Sequence, residues 1–290
     1  MKFWQAITWA ETDQLVEIAR FAEEVGFHGL MSGDHAVYPE SIAPEYPYSE
    51  TGKPPMQPSD EYPDQTAIFG AMAAVTRTLH FTCGVYVLPL RNPHAVARAA
   101  ATLAVISDDR FILGVGVGWM KEEFDIYGVD FRQRGKITDE IIDVLHVLWR
   151  GEMVEYHGDF FDFPRVQLSP APKRHPPIYI GGASDFALRR AARAGDGYIG
   201  AGTAPEDVLP LLKQLEELRK QYRRDHLPFE AMIGIAALPN RDLFQRLSDE
   251  GLQSTVAPPF AYALGKKRST IDEKKRFMEN FSETIIRRMH

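Results

Sequence analysis

A (β/α)8 barrel is the fold class this sequence predicts. Three observations carry it: apolar or β-branched runs alternate with amphipathic stretches, the runs number eight, and no shift in composition marks a second domain. The 290 residues suit a fold that typically needs about 250. A doubly wound sheet would show a similar alternation, and the strand count separates the two. The expectation is a single barrel domain over residues 1–290, with an extended loop after strand two and a short β excursion before strand five.

The first run is Phe3 to Trp9. A helix follows over 12–25, with Leu15, Ile18, Ala19, Ala22 and Val25 on one face and Gly26 ending it. The second run, His28 to Gly33, ends on Asp34-His35. Residues 36–63 break the rhythm, with seven prolines and four tyrosines in 28 positions. A connection this long predicts a binding loop. Tyr38, Tyr46, Tyr48, Tyr62 and Met56 would then wall a substrate; the plainer alternative is a rigid surface loop or a dimer contact.

Helix resumes over 64–77, and the third run spans Leu79 to Leu88, closed by Pro89. Pro93 opens a helix to about Ile106, ended by Asp108-Asp109. Phe111 to Val117 is the fourth strand, with helical pattern at 120–127 and 136–149 behind it. EYHGDFFDF centres the β excursion of 152–176. Strands five to eight are Pro177–Gly181, Tyr198–Gly200, Met232–Leu238 and Leu252–Val256, with helices at 185–194, 205–224 and 270–288.

Composition excludes several classes. With 33 basic against 40 acidic residues the net charge is −7, which argues against general nucleic-acid binding, since that needs basic surface to displace counterions. A lone Cys83 excludes a disulfide framework or Cys-rich metal site and suits a reducing, cytoplasmic setting. The opening MKFWQAITWAETDQ does not read as a signal peptide. No stretch approaches the roughly 20 apolar residues of a membrane span.

Barrel enzymes place their chemistry where strands run into helices. Those points carry Trp9, Asp34-His35, Gly84 to Leu88 with Arg91-Asn92-Pro93, Gly118-Trp119 with Glu122-Glu123, Gly181-Gly182-Ala183-Ser184, and Gly200 with Gly202. Gly114-Val-Gly116-Val-Gly118 is not a dinucleotide fingerprint, because Trp119 stands where the third glycine belongs. It reads instead as small residues where strands crowd. Gly181 to Ser184, ahead of a helix, reads as an anion site or as plain capping by Ser184. Asp34-His35 suits a general acid/base or a structural pair, and zinc spacings such as H-E-x-x-H are absent.

Taken together, SGDH (32–35), VLPLRNP (87–93), ATLAVISDDRFILGVGVGWMKEEF (101–124), PPIYIGGAS (176–184) and GDGYIG (195–200) make the chain resemble the bacterial-luciferase-like family. Within it, the methylenetetrahydromethanopterin-reductase-like branch is the nearest match. The resemblance covers about residues 1–200 and implies a (β/α)8 oxidoreductase using FMN or the deazaflavin coenzyme F-420. It implies a non-prolyl cis peptide near Gly84-Val85 backing the cofactor ring, Asp34 and His35 beside ring and substrate, and Gly181, Gly182, Ala183 and Ser184 on the phosphate. Trp119 and Glu123 would line the reacting face. Some members carry a glutamate proton donor where Trp119 stands, so His35, Glu122 and Glu123 remain candidates for the acid.

The function expected is F-420-dependent hydride transfer to or from a small organic substrate. The alternatives are an FMN monooxygenase using reduced flavin, O2 and an external flavin reductase, a non-catalytic flavin-binding barrel, and a metal-dependent hydrolase barrel. Family members are often homodimers. Lys266-Lys267-Arg268 would meet an anionic cofactor tail or form a solvated loop.

Overall fold

The computed structural model describes residues 1–43, 46 and 51–289. Its strands are β1 (Lys2–Ala6), β2 (Gly29–Ser32), β3 (His80–Cys83), β4 (Tyr86–Val87), β5 (Phe111–Gly116), β6 (Val154–His157), β7 (Asp162–Val166), β8 (Ile178–Gly181), β9 (Gly197–Thr203), β10 (Glu230–Ile235) and β11 (Ser254–Ala257). All pairings in the main sheet are parallel and run β1, β2, β3, β5, β8, β9, β10, β11 and back to β1. Phe3 opposite Thr255 closes the ring. The expected β excursion is the antiparallel pair β6 and β7 outside it.

Helices pack around the ring: α1 (Leu15–Glu24), α2 (Gln65–Ala73), α3 (Pro93–Ser107), α4 (Lys121–Tyr127), α5 (Arg134–Leu148), α6 (Asp185–Ala194), α7 (Val208–Gln221), α8 (Arg241–Asp249), α9 (Phe260–Ala263) and α10 (Ile271–Thr284). Local chemistry sets their ends. The Asn92 side chain accepts from the His94 and Ala95 N–H groups ahead of Pro93, and Asp108 stops α3 in the left-handed region at φ 54°. Arg110, in the turn before β5, is buried and donates to the carbonyls of Ala73, Thr76, Leu79 and Ser107, gathering the ends of α2 and α3 beneath the barrel.

Three sequence expectations change. The third run is not one strand: it breaks between β3 and β4 at Gly84–Val85, whose peptide bond is cis, and Leu88–Leu90 turns into a 3-10 helix. The first strand stops at Ala6, so Trp9 stands beyond it at φ 64°. Helix α8 falls between the seventh and eighth runs, where no helix is expected, although Leu243, Phe244 and Leu247 give it an apolar face and Asn240 caps it by accepting from the Leu243 N–H.

Trp4, Ile112, Tyr179, Ile199 and Met232 fill the barrel interior. Below them Trp4 meets His28 edge-on at 5.2 Å, and His28 stacks on His80 at 4.3 Å. Burial, then His80 and Lys2, lower the His28 pKa from 6.5 to about 3. A histidine held neutral in the fold but free to ionise when unfolded contributes stability above pH 6.5 that drains away as pH falls toward 3. Urea unfolding at pH 7 and pH 4.5 is expected to show a His28→Gln variant losing about 1–2 kcal/mol less between the two pH values than the wild type, allowing for partial exposure.

Candidate active site

A cavity of about 630 Å³ opens at the C-terminal ends of the barrel strands. Met31, Val85, Ile199 and Val256, packed on the interior cluster, make its apolar floor. Trp9, Tyr62 and Trp119 give aromatic walls, while Gly200 and Gly234 leave bare backbone on one side. Asp34, Lys53 and the imidazole of His35 join the tyrosines Tyr46, Tyr62 and Tyr262 as its titratable lining groups among the described residues.

Asp34 follows β2 and belongs to a clamp. Both carboxylate oxygens accept from Arg91 Nη2 at 2.9 Å, and Oδ2 also accepts the Val87 N–H at 3.0 Å. The Asp34 side chain is only 7% exposed. Arg91 in turn lies over the Tyr86 ring at 4.7 Å. The end of β2 is thereby tied to β4 and the segment behind it, which fixes the cavity wall at Gly84, Val85 and Val87.

His35 and Glu123 form a second pair. His35 Nδ1 lies 3.1 Å from Glu123 Oε2, and Glu123 Oε1 accepts the Ala36 N–H at 2.6 Å. A carboxylate acceptor at this contact takes the Nδ1 proton, so in the neutral ring it is Nε2 that carries the lone pair. Tyr62 and Trp119 flank the imidazole edge-on at 5.1 and 6.0 Å. Glu123 is buried behind His35 and does not line the cavity. Glu122, the neighbour α4 also delivers, accepts from the Ala43 N–H and serves the loop.

Val85 sits between two strands that make room for it. A Cβ on Gly116 would stand 2.3 Å from Val85 Cγ2, and one on Gly181 would stand 2.3 Å from Cγ1. Glycine at 116 thus answers strand crowding. Gly181, Gly182, Ala183 and Ser184 adjoin the cavity through Val85 but do not line it. Tyr198 donates to the Gly182 carbonyl at 3.0 Å, Ala183 and Ser184 are exposed, and Ser184 Oγ caps α6 by accepting the Ala187 N–H.

Of the expected aromatic wall, Tyr46 and Tyr62 line the cavity, with Lys53 and Pro55 beside them. Tyr38 is exposed and Met56 is buried away from it; Tyr48 lies outside the described residues. Periodicity gave no sign of Arg91 as partner to Asp34, nor of Tyr262 as a lining group. The basic trio ties segments together. Lys267 Nζ reaches Asp60 at 2.7 Å and the Pro55 carbonyl at 3.0 Å, Arg268 pairs with Glu61, and Lys266 pairs with Glu273. Cys83 is buried and burial pushes its thiol well up, so it is an inert packing group.

The Asp34–Arg91 clamp is open to a double-mutant cycle. Asp34→Asn alone is expected to cost about 2 kcal/mol in urea unfolding, because it leaves a mostly buried guanidinium without its counter-charge. Combined with Arg91→Gln, the cycle is expected to return a coupling of about 1–3 kcal/mol.

The chain matches the family model described as luciferase-like monooxygenase over residues 4–258. It is 32% identical to an uncharacterized protein of Mycobacterium tuberculosis over 287 residues, 99% of each chain. The F-420-dependent glucose-6-phosphate dehydrogenase of Amycolatopsis mediterranei is 27% identical over 270 residues, covering 81% of this chain and 76% of that one. Among solved structures, the monooxygenase RslO1 from Streptomyces bottropensis shares the fold over the whole of both chains, with a TM-score of 0.79 at 18% identity. On this match and the closed barrel, the chain belongs to the luciferase-like monooxygenase family, whose members are oxidoreductases and monooxygenases.

Proposed function

We propose that the chain transfers hydride between coenzyme F-420 and a small organic substrate, with His35 moving the accompanying proton. The observation that carries this reading is the His35–Glu123 pair, which holds the imidazole through Nδ1 in the lining of a largely apolar cavity. Glu123 holds the ring and its tautomer, and its carboxylate stabilises the imidazolium that forms when Nε2 accepts a proton. The relative named for F-420 aligns with 81% of this chain, which favours the deazaflavin.

The residues fit such a group. A flat tricyclic ring and a small substrate fall within the usual range of about 300–1,000 Å³ for ligand cavities. Val85, Met31 and Ile199 offer an apolar face, and the side-chain-free backbone at Gly200 and Gly234 permits close approach. Gly181 to Ser184 would hold the phosphate at the rim, where Asp185 is paired with Arg189 and so opposes an anion less. Lys53 is the cationic side chain among the described lining residues and would face the anionic tail. When bound, the deazaflavin supplies hydride chemistry; the chain's residues orient it, exclude water and relay the proton.

Fluorescence titration with F-420 and with FMN tests the cofactor. Micromolar F-420 binding is expected; tight binding of FMN alone, with oxygen uptake once the flavin is reduced, would instead establish the monooxygenase reading. On any substrate that turns over in a panel of alcohols and ketones, His35→Asn is expected to lower kcat by about 10²–10⁴. Full turnover in that variant would remove the proton-relay role. Glu123→Gln is expected to lower kcat less, with KM little changed.

A further inference from the structure

We propose that Tyr62 is the hydrogen-bond donor that selects a substrate bearing a carbonyl or alcohol oxygen, and that Trp9 is the positioning residue that aims it. This rests on reading the cavity as the substrate chamber.

Trp9 Nε1 stands 2.6 Å from the Tyr62 hydroxyl. An indole N–H can only donate, so the phenol oxygen is the acceptor and its own proton is left for another partner. No residue described in the structure takes that proton. Burial, the largest cause, pushes the Tyr62 pKa above the ordinary tyrosine range, so the hydroxyl keeps its proton and stays a donor. Both residues line the cavity.

The aim of this hydroxyl is set from outside the loop that carries it. Trp9 adopts φ 64°, a backbone region bulky residues seldom enter. Its indole is held there by the Tyr262 ring, edge-on at 5.6 Å, and by the Lys267 ammonium 5.3 Å above it. Lys267 also grips Asp60 and Pro55, so the same cation fixes the indole and the segment ending at Tyr62.

The Tyr62 ring meets the His35 imidazole edge-on at 5.1 Å. A donor, the phenol, and the His35 imidazole, whose Nε2 accepts in the neutral ring, therefore stand side by side in the lining of one cavity. A carbonyl oxygen there accepts from Tyr62. An alcohol oxygen accepts from Tyr62 and donates to His35. A hydrocarbon does neither and leaves the phenol proton unpaired, which is the arrangement that discriminates best between a polar ligand and its apolar isostere. Val85, Ile199 and Trp119 around this space suit an apolar remainder of the molecule.

Cyclohexanone and methylenecyclohexane differ only in the oxygen and serve as probes. Calorimetric titration of the full chain, with and without F-420, is expected to show the ketone binding about tenfold more tightly. Tyr62→Phe is expected to bring the ratio to about one, by weakening the ketone alone. Trp9→Phe, which keeps a ring but loses the donor, is expected to lower the ratio only in part. A ratio that survives Tyr62→Phe, a wild type without preference, or failure of both probes to bind overturns the proposal. Urea unfolding of Tyr62→Phe checks that it folds; should it not, an unchanged ratio in Trp9→Phe overturns the positioning role. If F-420 fails to bind while the preference is present and lost in Tyr62→Phe, the hydride-transfer reading falls and the assignment of Tyr62 stands.

Discussion

The cavity depends on one buried carboxylate. Asp34 accepts from Arg91 and from the Val87 N–H, and in doing so joins the end of β2 to β4 and the segment behind it. The link reinforces the wall formed by Gly84, Val85 and Val87, which β4 also holds by pairing with β5. His35 follows Asp34 directly, so the clamp also fixes the backbone from which the imidazole projects. A charge pair this enclosed adds little net stability over a packed apolar one. Its value lies in allowing one arrangement of two strand ends and no other.

Glu123 extends the same logic from the opposite side. It enters from the first turn of α4, beyond β5, and accepts from both the His35 ring and the Ala36 N–H. Three consecutive barrel strands thus converge on two adjacent residues. Fixing an imidazole through one nitrogen leaves its second nitrogen available to a ligand.

Much of the fold was legible in the residues. Apolar runs and their spacing point to the strands, and Asn92-Pro93 and Ser184 mark helix starts that the structure bears out through their hydrogen bonds. Helix α8 also carries its signal, an Asn240 cap followed by Leu243, Phe244 and Leu247 on one face, within an otherwise polar stretch. The position of Asp34 and His35 at a strand end could be read; what they touch could not. Arg91 lies 57 positions from Asp34 and Glu123 lies 88 from His35. Such partnerships follow from which strands are neighbours and in what register, and both emerge only when the ring closes. The same holds for Lys266 to Arg268, whose charges resemble a ligand contact until Asp60 and Glu61 are found across from them.

That closure also has a consequence for the chain as it leaves the ribosome. Lys2 to Gln5 pair with Ser254 to Ala257, so β1 acquires one of its two neighbours only once the chain has been made as far as Ala257. Until then the growing sheet carries two open edges, β1 on one side and the most recently made strand on the other, each with unpaired N–H and C=O groups. Contacts of such long sequence separation are slow to form, and exposed edges invite pairing with other chains. A truncation that removes β11 therefore takes away more than a wall of the cavity: it leaves a permanent folding intermediate, open between β1 and β10.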